Sequence, residues 1–180
     1  MYIYQELWAK RPQNPECPES AELLVGHTQQ VTRMAEIITS SLASRLQEFL
    51  QIKDDQVEHW KTAVWVSAWL HDLGKANDHF QKMIRNPSFT QGVRHETISL
   101  LLLLELEEWL APAVSSLPEW AKSAIKFSIS GHHLKFPDPY SDNRPGTEVA
   151  TYLGHDDIRR VLEIGKDKFN LEIPPQIHDK

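Results

Sequence analysis

The sequence predicts an all-α fold, a compact helical bundle, and three observations carry that expectation. No segment alternates apolar and polar residues with the period of two that a half-buried strand requires. Apolar residues recur instead at three- and four-residue spacing in several segments, separated by polar, proline or glycine breaks. The 180 residues are 41% apolar and 24% charged, enough for one soluble domain to bury a core without staples.

Residues 1 to 20 have no periodic pattern, and Pro12, Pro15 and Pro18 keep them irregular, with Tyr2, Tyr4, Leu7 and Trp8 available to dock the terminus onto the body. A capped helix start is expected at Ser20, and Leu23, Leu24, Val31, Met34, Ala35, Ile38 and Leu42 trace the first helix, with His27 inward between Leu23 and Val31. Leu42 to Ile52 extends it or forms a short second helix before the polar break Lys53-Asp54-Asp55-Gln56. Val57, Trp60, Ala63, Val64, Ala68 and Trp69 mark the next buried face, which ends at Leu70-His71-Asp72-Leu73-Gly74-Lys75. Gly74 gives the chain freedom to turn there. Asn77 to Ile84 makes a short helix with Phe80, Met83 and Ile84 inward, and Phe89 to Arg94 is a loop that delivers His95. From His95 to Leu110 leucines coat nearly every side, which predicts a central helix packed on several faces. Ala111-Pro112 and Leu117-Pro118 read as a linker and a restart. Trp120, Ala121, Ala124, Ile125, Ser128 and Ile129 form the next inward face, leading to Ser130-Gly131-His132-His133. Phe136 to Gly146 is a turn-rich segment, either a lip beside the pocket or mobile, and Thr147 to Leu162 is a last helix weakened by Gly154. Trp60, Trp65, Trp69, Trp109 and Trp120 are assigned to the core rather than to stacking platforms.

Composition removes several classes of function. The one cysteine, Cys17, excludes an internal disulfide framework and a thiolate zinc site, and makes a reducing compartment the default. No basic region leads into an apolar signal core, and the longest apolar run, Leu100 to Leu104, is far too short to cross a bilayer. A cytoplasmic protein with no membrane role is expected. The net charge of -6 argues against gripping a nucleic-acid duplex through a broad basic face, although bound divalent ions would reverse the local field.

The candidate chemistry is a set of histidines around one carboxylate. His71 and Asp72 are adjacent, so on a helix they point about 100° apart and can converge only near a helix end. Alone, the pair reads as a capping aspartate beside a partly buried histidine. His27, His95, His132 and His133 stand on other elements, and a bundle can bring such ligands together in its core. Imidazole with carboxylate suits manganese, iron, cobalt, nickel or zinc, and magnesium less well. With one central carboxylate, two ions bridged by Asp72 are a natural geometry, and a pair about 3.5–4 Å apart can activate water and stabilise a phosphodiester transition state. Lys75 would offset phosphate charge. On spacing alone, scattered structural histidines remain an equal alternative, and a solvated lysine after a helix end is the favoured reading of Lys75.

His27, the His71-Asp72-x-Gly74-Lys75 motif with Phe80-Gln81, the Arg94-His95 step and Ser130-Gly131-His132-His133 resemble, in order and spacing, the HD nuclease domain of CRISPR-associated type I interference proteins. The resemblance covers roughly residues 20 to 140. That domain stands alone or precedes a helicase. The resemblance implies an all-helical HD-domain bundle with a metal site between core helices, cutting single-stranded DNA during foreign-DNA destruction as an endonuclease with exonuclease activity also open. It implies two divalent transition-metal ions (manganese, nickel, cobalt or iron), one held by His27, His71 and Asp72 and the other by Asp72, His95, His132 and His133, with His71, Asp72 and Lys75 as the catalytic group. A helicase domain or subunit and a CRISPR effector complex are the implied partners. The family completes its first metal with a late aspartate in an Ala-Asp step, and no such step occurs here. Asp156 and Asp157 are possible substitutes but read better as capping or solvated residues. The simpler expectation is that residues 1–180 form a single HD domain at the N-terminal end of a longer protein; the alternative is an incomplete first site. Two other functions stay open: an HD phosphohydrolase acting on nucleotides, and a catalytically weak scaffold domain.

Overall fold

The computed structural model describes residues 4–133 and 148–172. Within them the chain is all-α, as expected: α1 (Leu24–Leu50), α2 (Asp54–Leu70), α3 (Asp78–Arg85), α4 (His95–Glu105), α5 (Glu107–Val114), α6 (Glu119–Gly131) and α7 (Asp156–Phe169), with 3-10 turns at Ser20–Glu22 and Leu73–Lys75. The only β pairing among the described residues is two isolated bridges, Trp8 with Leu23 and Asn77 with Thr151. Packing α2 against α1, α6 and α7 puts it at the centre of the bundle.

The N-terminal segment docks as its aromatic and apolar residues suggest. Leu7 is buried, its carbonyl accepts from Leu24 N–H at 2.8 Å, and Ala9 N–H donates to the Glu22 carbonyl at 2.7 Å. The Arg85 guanidinium lies over the Tyr4 and Trp8 rings, 4.1 and 4.0 Å from their centroids. Ser20 opens a 3-10 turn rather than the first α-helix, which begins at Leu24 and runs unbroken to Gln51, where a left-handed residue (φ 53°) stops it.

The inward face of α1 is not the one its apolar residues suggest. Met34, Ile38 and Leu42 are exposed, and the buried face is Leu24, Thr28, Thr32, Ala35 and Thr39. The threonines can face inward because each hydroxyl donates to the carbonyl four residues back, Thr28 to Leu24, Thr32 to Thr28 and Thr39 to Ala35, at 2.7–2.9 Å.

α4 is likewise less central than its leucines predict. Ile98, Leu102 and Leu103 are buried, but Leu101 is 57% exposed and Leu104 also faces solvent. Pro112 is not in a linker: it lies inside α5, and the break falls at Leu106, whose φ of -86° and ψ of 0° leave the helical path. Leu106, Leu110 and Ala113 hold α5 to the core, which offsets the hydrogen bond that Pro112 cannot donate. On α6 the buried residues are Ala121, Ile125 and Ile129, while Trp120 is 48% exposed and so is a surface rather than a core residue. Met83 is half-buried beside the buried Phe80 and Ile84. The last helix starts after Gly154, at Asp156, and the expected lip from Phe136 to Gly146 lies outside the described residues.

Trp69 ties α2 to α7. Its ring is fully buried, its indole N–H donates to the Val161 carbonyl at 2.7 Å, and it lies where a side chain on Gly165 would project, with Cη2 2.1 Å from the position of such a Cβ. Gly165→Ala should therefore overpack this contact and destabilise the fold by about 1–3 kcal/mol. Urea denaturation checks it, and an unchanged midpoint would contradict the packing.

Candidate metal centre

The centre is assembled from helix ends. His71 closes α2, and Asp72 leaves the helical path at φ -104°, ψ 6° before the turn Leu73–Lys75. That departure lets two adjacent side chains face one place. His27 comes from the first turn of α1, His95 from the start of α4, and His132 and His133 follow α6.

Gly74 is needed for close approach rather than for the turn itself, since its φ lies outside the left-handed region. A Cβ there would stand 2.1 Å from the His95 carbonyl and 2.4 Å from Ser99 N, so any side chain would push α4 away. The contact is clamped by Ser99, whose hydroxyl accepts from Gly74 N–H at 2.8 Å and donates to the His71 carbonyl at 2.7 Å. Asn77 caps α3 by accepting from Phe80 N–H and donates through Nδ2 to the Gly74 carbonyl. Buried Gln81 donates to the carbonyls of Lys75 and Trp8. Sequence reasoning assigned no role to Ser99, and its one available signal was its place four residues after His95, on the same helix face.

Asp72 is 2% exposed and stands between two groups. Its Oδ2 is 3.1 Å from His27 Nε2 and 3.2 Å from His71 Nε2. Its Oδ1 is 3.3 Å from His95 Nε2 and 3.4 Å from His132 Nε2. His95 Nε2 is in turn 3.3 Å from the Nε2 atoms of both His132 and His133. The six sequence candidates are thus brought together, as two groups with spacings that could hold metal ions: His27, His71 and Asp72, and His95, His132 and His133. Lys75 joins them, buried rather than solvated, with Nζ 2.6 Å from Asp72 Oδ2, 2.9 Å from the Ala9 carbonyl and 5.3 Å from the centre of the Phe80 ring.

His155, Asp156 and Asp157 lie elsewhere. His155 is buried and caps α7, its Nδ1 accepting from Asp157 N–H while Nε2 faces the Tyr4 carbonyl at 3.1 Å. Asp156 is exposed and pairs with Arg159, as its solvated reading anticipated. Asp157 is buried instead, because Oδ2 accepts the Leu7 N–H at 2.8 Å, so it anchors the N-terminal segment; neither aspartate belongs to the two groups found among the described residues.

The donor set is suited to divalent cations. His71 Nδ1–H donates to the Ala68 carbonyl and His132 Nδ1–H to the Ile129 carbonyl, both at 2.8 Å. A carbonyl only accepts, so in each neutral ring the proton is fixed on Nδ1 and the Nε2 lone pair points at Asp72. Both Asp72 oxygens are buried without an aligned hydrogen-bond donor, even with Lys75 Nζ at 2.6 Å. Lone pairs facing a carboxylate at 3.2–3.4 Å repel unless positive charge lies between them.

The same environment orders the protons. Burial pushes the Asp72 carboxyl up, but hydrogen bonds donated by His132, His27, His71 and His95 when their Nε2 atoms carry protons outweigh that and hold it well below the usual carboxylate range. Burial lowers His95 and, with the charge of His132, lowers His133. Burial also pulls His132 down, but Asp72 and the Ile129 carbonyl outweigh it, leaving its value above that of an ordinary histidine. His95 and His133 are therefore ready to ligate at neutral pH, while His132 holds a proton longer.

The described helices include none long and apolar enough to cross a membrane. The family described as "Cas3, HD domain" matches residues 8–176. A putative CRISPR-associated nuclease/helicase Cas3 of Myxococcus xanthus (strain DK1622) is 31% identical over 184 residues, covering 95% of this chain and 24% of that protein. The chain therefore spans about a quarter of the length of that curated relative. No solved structure matches.

Because a cation must displace the His132 proton, uptake should strengthen as pH rises through the histidine range, with protons released. Titration calorimetry in two buffers of different ionisation enthalpy measures both quantities. Uptake that is independent of pH and releases no protons would contradict this ordering.

Proposed function

The chain belongs to the Cas3 HD-domain family, and from that premise we propose that it is a metal-dependent nuclease hydrolysing phosphodiester bonds of single-stranded DNA in CRISPR antiviral defence. The observation that carries this reading is one buried carboxylate, Asp72, presenting one oxygen to each of two ligand groups. His27, His71 and Asp72 would hold one ion, and His95, His132 and His133 with Asp72 the other. Manganese, nickel, cobalt or iron suits the nitrogen-rich donors better than magnesium. Such ions supply an activated water and Lewis-acid stabilisation of the phosphate.

The chain's own residues do the rest. Asp72, ionised, fixes the spacing between the groups. The Ala68 and Ile129 carbonyls keep the His71 and His132 rings turned inward. Lys75, held against Asp72 and the Ala9 carbonyl, keeps a positive charge where a phosphate would sit. A groove of about 460 Å³, whose lining includes Lys75, Phe80, Arg94, His95, Glu96 and His133, opens beside the second group. An open groove favours a polymer over an enclosed nucleotide.

The Myxococcus relative's description as a CRISPR-associated nuclease/helicase supports a helicase domain or subunit as partner; a CRISPR effector complex in the cytoplasm is our reading of where the two would act. Residues 1–180 would then act as a single HD domain.

Asp72→Ala should abolish cutting of labelled linear and circular single-stranded DNA in manganese, nickel or cobalt while leaving the far-UV circular dichroism helical. Parent cleavage of both forms supports endonuclease action; parent turnover of free nucleotides alone, or undiminished cutting by D72A, would overturn the reading. Lys75→Ala should slow cutting about 10-fold or more with metal content retained, as removal of one electrostatic stabiliser does. Loss of metal instead would contradict its phosphate role.

A further inference from the structure

Three histidines of the centre sit at helix termini where the backbone offers different partners. His71 and His132 follow the C-terminal ends of α2 and α6, where the last carbonyls have no helical donor. Each ring uses the carbonyl three residues back, Ala68 or Ile129, to fix its Nδ1 proton. His95 opens α4, and a helix N-terminus presents unpaired N–H groups rather than carbonyls. Its ring needs another acceptor.

Glu96 is placed to be that acceptor. It is 1% exposed, and its Oε2 is buried without an aligned hydrogen-bond donor, 3.2 Å from His95 Nδ1. Its other oxygen, Oε1, is engaged by the Arg94 guanidinium, with Nε at 3.1 Å and the terminal nitrogen also in contact. Arg94 therefore fixes which oxygen faces His95. A buried carboxylate oxygen with no donor is costly, so its place beside a ring nitrogen calls for a function.

We propose that Glu96 is a positioning residue for the second ligand group: held by Arg94, it accepts the His95 Nδ1 proton and so turns the Nε2 lone pair toward Asp72, His132 and His133. This rests on the metal reading above. Glu96 belongs to neither ligand group; it acts on the second through the orientation and tautomer of His95.

Glu96→Gln tests it. In that variant the Arg94 guanidinium selects the amide oxygen and leaves the amide NH2 facing His95 Nδ1. The His95 proton is then driven to Nε2, the atom that must ligate. Long-range 1H–15N spectra of the metal-free, 15N-histidine-labelled protein read this directly. The expected result is a Nδ1–H tautomer in the parent and Nε2–H in E96Q. Manganese titration should show the second binding event weakened about 10- to 100-fold, with the first retained. Arg94→Met combined with E96Q frees the amide to rotate its oxygen toward His95, and should restore the Nδ1–H tautomer and part of the affinity. A purely structural defect would be deepened by the second substitution.

The same tautomer in parent and E96Q, or a double variant that binds manganese more weakly than E96Q, would overturn the proposal. A parent that binds no metal while its His95 tautomer still switches in E96Q would sink the metal reading and leave the orienting role of Glu96 standing.

Discussion

The structure depends on the burial of the Asp72 carboxylate. A carboxylate removed from water needs nearby positive charge or aligned donors, and one ammonium group supplies only part of that. Lys75 is that ammonium, and its position is secured from the far side of the chain by the Ala9 carbonyl. The docking of residues 4–10 is therefore part of the centre, and Asp157, which holds Leu7, serves it from a distance. Gly74 and Ser99 share the same task, holding the turn after Asp72 against α4, while Asn77 and Gln81 hold it to α3.

Around this carboxylate the ligands arrive on helix ends, not on helix faces. A histidine at a helix C-terminus finds an orphan carbonyl that sets its ring, as His71 and His132 do. One at an N-terminus does not, and the adjacent acidic residue of the His95-Glu96 step supplies what the backbone lacks there. The order of residue types in the motifs thus follows from where each helix begins or stops.

The helical fold was legible because apolar spacing reports periodicity directly, and α2, α3 and α6 lie within a few residues of where that spacing puts them. The facing of α1 was not, because threonines that bond their own helix carbonyls can be buried while Met34, Ile38 and Leu42 face outward. Leucine content likewise could not reveal that Leu101 points away from the core, nor that buried neighbours let α5 tolerate Pro112. In the centre, the histidine and aspartate types and their order were readable, since they fall at breaks in the apolar pattern. A pairing of His95 with its neighbour Glu96 was also within reach of the sequence, as are the carbonyls of Ala68 and Ile129 three residues before the rings they set, whereas Ser99 and the Ala9 carbonyl gain meaning only from tertiary approach. The buried anchor Asp157 looked solvated for the same reason: its partner is the Leu7 amide, 150 positions away.

The account turns on whether Asp72 joins two cations. Crystals soaked in manganese and measured at the manganese absorption edge test this most directly. Two anomalous peaks are expected, one among His27, His71 and Asp72 and one among His95, His132, His133 and Asp72, with a carboxylate oxygen toward each. A single peak, or peaks away from Asp72, would contradict it.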